Sequence, residues 1–133
     1  MNHVFLDTVG LLATWDETDQ WHALATSAYA GIEKRSSVCV TTTFVLLECG
    51  NAAAKRPYRT AVDRLRTALE AANCLIQPTV EDWAEAWHAY VRSEGAGAGI
   101  VDQISFVVMR RLGIRQAFTH NSHFSAAGFE TLF

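Results

Sequence analysis

Ile100-Val101-Asp102-Gln103-Ile104-Ser105-Phe106-Val107-Val108-Met109-Arg110-Arg111-Leu112-Gly113-Ile114 reads as a helix that stops and turns at once into a strand. Residues from about 101 to 112 are too apolar for a surface helix, so this one packs against a core. Gly113 fits the position after the last turn, where a left-handed residue closes a helix. Ile114 to Thr119 then read as a buried strand. Helix, glycine and strand in direct succession form the returning half of a parallel β-α-β unit. Asp102 lies at the opening of this helix, where an Asp is ordinarily a cap.

The same alternation continues outward in both directions. Val4-Phe5-Leu6 is a short apolar strand, and Asp7-Thr8 after it can start a helix. Residues 17–30 carry Trp21, Leu24, Ala25, Ala28 and Tyr29 at helical spacing. Ser37 to Val40 form a second strand, Thr41 to Thr43 interrupt it, and a helix runs from Phe44 to about Lys55, before Pro57. A helix over 60–72 precedes a third strand at Cys74-Leu75-Ile76, which Pro78 stops. Glu81 and Asp82 occupy the first turn of the next helix, where its dipole favours acids. That helix carries Trp83, Ala86, Trp87 and Tyr90, and Trp83 and Trp87 are expected in core or dimer packing. Gly95 to Gly99 read as a flexible loop, and Phe129 to Phe133 as a short fifth strand. The pattern predicts one domain over residues 1–133, a three-layer α/β/α sandwich around a mostly parallel sheet of four to five strands.

Composition agrees and narrows the function. The chain has 133 residues, half of them hydrophobic, and a formal net charge of −3. That charge argues against a protein that holds nucleic acid through a strongly basic surface, and leaves room for an enzyme that grips a short stretch and cuts it. No apolar run is long enough to span a bilayer, no secretory signal is evident, and the three cysteines form no CxxC pair. A cytoplasmic protein with free thiols is expected.

In open α/β sheets, ligands collect outside the carboxyl ends of strands. Asp7, Asp102 and Asn121 all fall at such junctions, and Glu48 lies one to two turns into the helix that leaves the second strand. Each has an ordinary explanation alone: a cap, a solvated acid, a turn asparagine. Three carboxylates gathered in one cleft would repel one another strongly, and a hard divalent cation resolves the conflict. Oxygen ligands point to Mg2+ or Mn2+ rather than zinc. His120 and His123 make an HxxH with no third soft ligand nearby, a weak zinc signal. Thr8 and Ser105 are candidate donors that hold the carboxylates in place. Lys55, Arg56, Arg59, Arg64 and Arg66 crowd one segment and, with Arg110 and Arg111, are candidate RNA phosphate contacts; the alternative is a solvated helical face.

Val4-Phe5-Leu6-Asp7-Thr8-Val9-Gly10-Leu11-Leu12, Thr42-Thr43-Phe44-Val45-Leu46-Leu47-Glu48 and, most specifically, Ile100 to Ile114 continuing through Ala117-Phe118-Thr119-His120-Asn121-Ser122-His123-Phe124 resemble the PIN-domain family, and within it the VapC toxins of bacterial toxin–antitoxin pairs. The resemblance spans nearly the whole chain. It implies a PIN-like fold, metal-dependent RNA cleavage, a homodimer and a small antitoxin partner. By match, Asp7, Glu48 and Asp102 take the first three acidic positions, and Asn121 stands where the family usually has an Asp. That exchange keeps an oxygen and loses a charge, which weakens the case for a second metal. Two rival readings are a catalytically weak PIN-fold module that binds RNA or protein, and a flavodoxin-like regulatory domain. The latter needs a paired acid after an early strand and a Lys after a late one. Only Asp7 follows the first strand, and no Lys occurs after Lys55.

Overall fold

A computed structural model describes residues 2–93 and 97–133. Five parallel strands, β1 (His3–Leu6), β2 (Val38–Thr42), β3 (Leu75–Ile76), β4 (Gln116–Phe118) and β5 (Glu130–Thr131), form one sheet in the order β3-β2-β1-β4-β5. Helices α1 (Thr8–Trp15), α2 (His22–Lys34), α3 (Thr43–Ala53), α4 (Arg59–Ala71), α5 (Val80–Arg92), α6 (Ile100–Leu112) and α7 (Ser122–Ala126) connect the strands in the expected three-layer α/β/α arrangement. No helix is long and apolar enough to cross a membrane among the described residues.

β1 is central. Val4, Phe5 and Leu6 are buried there with no exposed surface, because a strand covered by helices on both sides has no polar face to offer. β1 pairs with β2 on one side (Phe5 opposite Val40) and with β4 on the other (Leu6 opposite Phe118). The chain therefore leaves β1 toward one edge and later returns to its other flank. The carboxyl ends of β1 and β4 flank the place where strand order reverses, and such a place leaves a crevice between diverging connections.

The α6–Gly113–β4 turn forms as its sequence predicts. Gly113 closes α6 with φ +70°, and Ile114 N–H reaches back to the Met109 carbonyl at 2.9 Å, the bond pattern of a left-handed helix end. Other boundaries differ from expectation. The helix expected at 17–30 is α2, over residues 22–34, because Asp16 and Asp19 fold the preceding residues into side-chain turns. Asp16 Oδ1 accepts from Thr18 N at 3.0 Å, and Asp19 Oδ1 from Trp21 N at 2.7 Å. Thr41 to Thr43 do not interrupt the second strand. Thr41 donates its hydroxyl to the Leu6 carbonyl at 2.6 Å, Thr42 ends β2 and caps α3 by accepting from Val45 N at 3.2 Å, and Thr43 opens that helix. The fourth and fifth strands are shorter than the spans 114–119 and 129–133.

Trp83 and Trp87 are not core residues: they are 46% and 38% exposed. Their rings form a ladder with Phe44 and Tyr90 on the molecular surface, with successive centroids 5.3–5.8 Å apart. α5 meets α6 through Asp82 and Ala86 instead, with Ala86 packed against Ile104, Val107 and Val108. Asp82 is buried, caps the Thr79 N–H in a capping box, and accepts two bonds from the Arg111 guanidinium at 2.9 and 2.7 Å. Burial pushes the Asp82 carboxyl up, but Arg111 and the Thr79 backbone together hold it below the usual carboxylate range. Arg111→Ala would leave a buried carboxylate half compensated. It is expected to lower the unfolding free energy by about 2 kcal/mol in urea denaturation, discounted because the arginine itself is part-exposed. A change below about 0.5 kcal/mol would show that the pair is only a surface contact.

Cys39, Cys49 and Cys74 are free, and burial raises the Cys39 and Cys49 thiols to about 11 and about 12, so these two are inert neutral groups.

Candidate metal centre

Asp7, Thr8, Val9, Glu48, Asn51, Ala52 and Asp102 line one open cleft of about 580 Å3 at the carboxyl ends of the central strands. The three acids expected to act together do share one space. Three elements bring them there: the β1–α1 junction carries Asp7, the second turn of α3 carries Glu48, and the first turn of α6 carries Asp102.

Asp7 is 2% exposed. It caps α1, and both its donors reach the same oxygen: Oδ2 accepts from Val9 N at 3.4 Å and from the Thr119 hydroxyl at 2.8 Å. Thr119 follows β4, the strand hydrogen-bonded alongside β1, so register delivers it to Asp7 across the reversal point. The sequence reading gave Thr119 no role. The available signal was a β-branched hydroxyl ending an apolar strand beside the strand that ends in an acid. Burial pushes the Asp7 carboxyl up to about 7, and the charge of Asp102 adds to this, while the Thr119 and backbone hydrogen bonds pull it down.

Asp102 does not cap its helix. α6 starts two residues earlier, with Gly99 at the cap position, so the Asp102 side chain is left for the cleft. Its Oδ2 lies 3.3 Å from both Asn121 Nδ2 and His123 Nδ1. A carboxylate can only accept, so Nδ1 of His123 carries the proton in this contact. In the sequence His123 is only half of a weak HxxH signal; its place on α7 brings it to the acid. Asn121 caps α7, its Oδ1 accepting from His123 N at 2.9 Å. With that oxygen committed, Asn121 turns its amide nitrogen to Asp102. Asn121 thus meets the neighbouring acid through its amide nitrogen, while its oxygen keeps a second lone pair.

Glu48 is exposed on α3, and its Oε1 accepts from the Thr8 hydroxyl at 2.6 Å. Thr8 therefore holds a carboxylate as expected. Ser105 does not: its hydroxyl donates to the Val101 carbonyl at 3.0 Å, one turn back in its own helix, the usual resting place of a buried helical serine. Arg110 and Arg111 are also corrected. Both lie at the far end of α6 from Asp102. Arg110 bonds the Ala127 carbonyl and stacks over Phe106 and Phe129, and Arg111 is held by Asp82. In the basic segment, Arg66 pairs with Asp63 and Glu70 at 2.8 and 2.6 Å. Lys55, Arg56 and Arg59 stay exposed and make no ion pair among the described residues. The glycine-rich loop expected at 95–99 lies partly outside those residues.

Among the described residues, no lysine or arginine lines the cleft. A buried carboxylate, a half-buried one and an exposed one line this space, and all their donor atoms are oxygen. That set fits a hard divalent ion. Among the described residues, no three His, Cys, Asp or Glu side chains stand close enough to hold a metal by themselves, so any ion here would complete its shell with water. Mg2+ tolerates this, because it commonly keeps several waters.

A family model for the PIN domain matches residues 4–130. Among characterised proteins, the chain is 31% identical over 127 residues to the 23S rRNA-specific endonuclease VapC20 of Mycobacterium tuberculosis, covering 95% of both chains. The crystal structure of M. tuberculosis VapC20, described as a sarcin-ricin loop cleaving toxin, superposes with a TM-score of 0.79 at 29% identity, again over 95% of both chains. FitAcB from Neisseria gonorrhoeae shares the fold alone, at 13% identity and a TM-score of 0.63 over 98% of this chain and 96% of that one. The family match over nearly the whole chain and the identity to VapC20 agree: this chain belongs to the PIN-domain family.

Proposed function

We propose that this protein is a metal-dependent endoribonuclease, the toxin of a type II toxin–antitoxin pair. The observation that carries the reading is that Asp7, Glu48 and Asp102 line one cleft into which no lysine or arginine enters among the described residues. Asp7 and Asp102, with Glu48 directly or through water, would hold Mg2+ or Mn2+. The ion when bound supplies positive charge to the phosphate and to a hydrolytic water. The chain's own groups orient the acids. Thr119 fixes Asp7, Asn121 and His123 fix Asp102 through Oδ2, and Thr8 fixes Glu48 through Oε1. Glu48 is exposed and keeps Oε2 clear of any hydrogen bond among the described residues, so it is the acid placed to accept the proton of the attacking water. Lys55, Arg56 and Arg59 follow the Glu48 helix and would meet RNA phosphates.

The kinship with a 23S rRNA-specific endonuclease makes ribosomal RNA the first substrate to test. Purified protein with Mg2+ should cut ribosomal RNA at a discrete position mapped by primer extension, and EDTA should stop it. Metal binding should also be visible without RNA. Millimolar Mg2+ is expected to stabilise the fold by about 1–2 kcal/mol. Because the ion must displace the proton from Asp7, whose pKa is about 7, its affinity should fall as pH drops from 8 to 6. No stabilisation at pH 8, and cleavage unaffected by EDTA, would refute the metal assignment. A small antitoxin and a second copy are the expected protein partners. The exposed Trp83–Trp87–Tyr90 ladder, backed by half-buried Phe44, is an apolar surface that one of them would cover.

A further inference from the structure

Beside the carboxylate cleft lies a second pocket, of about 390 Å3, lined by Val9, Leu12, Asp19, Gln20, Trp21 and His120. Val9 lines both spaces, so the two share a wall. Val9 and Leu12 are one turn apart on the same face of α1. Trp21 and His120 make the aromatic side, their rings stacked nearly parallel with centroids 4.2 Å apart at 17°, and Phe133 packs edge-on against His120 at 5.4 Å. His120 directly follows Thr119, the residue that holds Asp7, so the stack is tied by the chain to the metal centre. Asp19 supplies the polar edge. Its Oδ1 is taken by Trp21 N at 2.7 Å, and no hydrogen bond to Oδ2 is found among the described residues.

We propose that this pocket receives a base of the RNA one nucleotide from the scissile phosphate, and that it selects bases carrying an exocyclic amine (guanine, adenine or cytosine) over uracil. The inference rests on the nuclease reading of the adjacent cleft. Flat apolar walls suit a base, whatever its identity. The carboxylate of Asp19 repels phosphate, so the group that enters beside it is a base rather than the backbone. A carboxylate also accepts from amine hydrogens, whereas the one donor on the pairing edge of uracil, N3–H, stands between two carbonyl oxygens that the carboxylate repels. The backbone phosphates then run along the open carboxylate cleft, with Val9 as the divide between base and phosphate.

Two measurements test this, one of which needs no cleavage. In the metal-free protein, 15N-resolved NMR titration with GMP, AMP, CMP and UMP should shift the Trp21 indole signal and the Asp19 and Gln20 amides with the first three nucleotides, and at least about threefold less with UMP at equal concentration. Trp21→Phe assigns the indole signal. In the cleavage assay, pentaribonucleotides that differ at one position should show a preference for amine-bearing bases at one place beside the cut. Asp19→Asn keeps the oxygen that caps Trp21 N but turns an amide outward. It should lower the kcat/KM ratio of the preferred base over uracil about tenfold. If nucleotides shift these signals but RNA is never cut, the nuclease reading fails and the base site stands. If RNA is cut, yet no position's preference responds to Asp19→Asn and no nucleotide shifts Trp21, the base site is overturned. Equal shifts with UMP would overturn the selectivity.

Discussion

Asp7→Asn is expected to end RNA cleavage and, in the same protein, to raise the melting temperature measured without metal. Both effects come from one cause. Asp7 is buried, burial and the nearby Asp102 charge push its carboxyl to about 7, and no lysine or arginine lines the cleft among the described residues. A carboxyl whose pKa is higher in the folded state binds protons more tightly there, so the wild-type fold loses stability as pH rises from about 4 through 7. The full shift from 3.8 corresponds to roughly 4 kcal/mol once Asp7 is ionised. Asparagine removes that charge at nearly constant shape. Val9 N and the Thr119 hydroxyl both donate to Oδ2, so an amide oxygen in that position keeps both bonds. The variant should gain on the order of 2–3 kcal/mol at pH 8, several degrees in Tm, and the gain should shrink steadily toward pH 4. Cleavage should fall by about 1,000-fold, the scale of losing a group that stabilises transition-state charge. Addition of Mg2+ should narrow the stability gap from the wild-type side. An unchanged or lowered Tm at pH 8 would mean that Asp7 is already compensated. Undiminished cleavage would remove it from the metal centre. The combination expected here is the usual signature of a site built for function against the preference of the fold.

The parts of the molecule legible in the sequence are those set by short-range chemistry. Gly113 announced the end of α6 because only a residue tolerant of positive φ closes a helix in that way, and β4 follows at once. Asp7 was legible as a strand-end acid, and Glu48 as an acid inside an apolar helix. What stayed hidden depends on neighbours far along the chain. Thr119 meets Asp7 only because β4 lies beside β1, a pairing of residues 112 positions apart. His123 meets Asp102 because α7 folds back on α6. The role of Asn121 turned on which of its two amide atoms its own helix consumes, and a motif lists the residue but not the atom. Arg110, Arg111 and Ser105 do not line the cleft for a related reason. Each sits on the right helix, and each finds a partner within the fold before it can reach the cleft. Trp83 and Trp87 have helical spacing that reads as a buried face, yet the buried residues of α5 are Asp82 and Ala86, because the Arg111 pair and the small alanine set how that helix docks.

Gly10→Ala is expected to destabilise the protein by about 3 kcal/mol or more and to disable the site from a position that bears no functional group. Helix propensity alone predicts the opposite, a gain of up to about 1 kcal/mol for alanine over glycine inside a helix. The local geometry overrides it. A Cβ at Gly10 would lie 2.1 Å from the Phe118 carbonyl oxygen and 2.8 Å from its carbonyl carbon. That carbonyl is backbone and is held in place: it accepts from Asp7 N at 3.4 Å, and Phe118 pairs with Leu6 across the β1–β4 ladder. Relief therefore requires α1 to move off β4, because the strand cannot retract without losing its pairing. The same movement carries Asp7, the cap of α1, away from Thr119. Loss of stability in urea denaturation and loss of cleavage should then appear together, with Mg2+ stabilisation reduced in the remaining folded protein. Gly50, in the middle of α3 with no atom within 4 Å of an added Cβ, provides the contrast. Gly50→Ala should follow propensity and gain up to about 1 kcal/mol. If both variants gave the same small gain, close approach of α1 to β4 would not be what sets Asp7 in place, and the register of the two strands would have to do so alone.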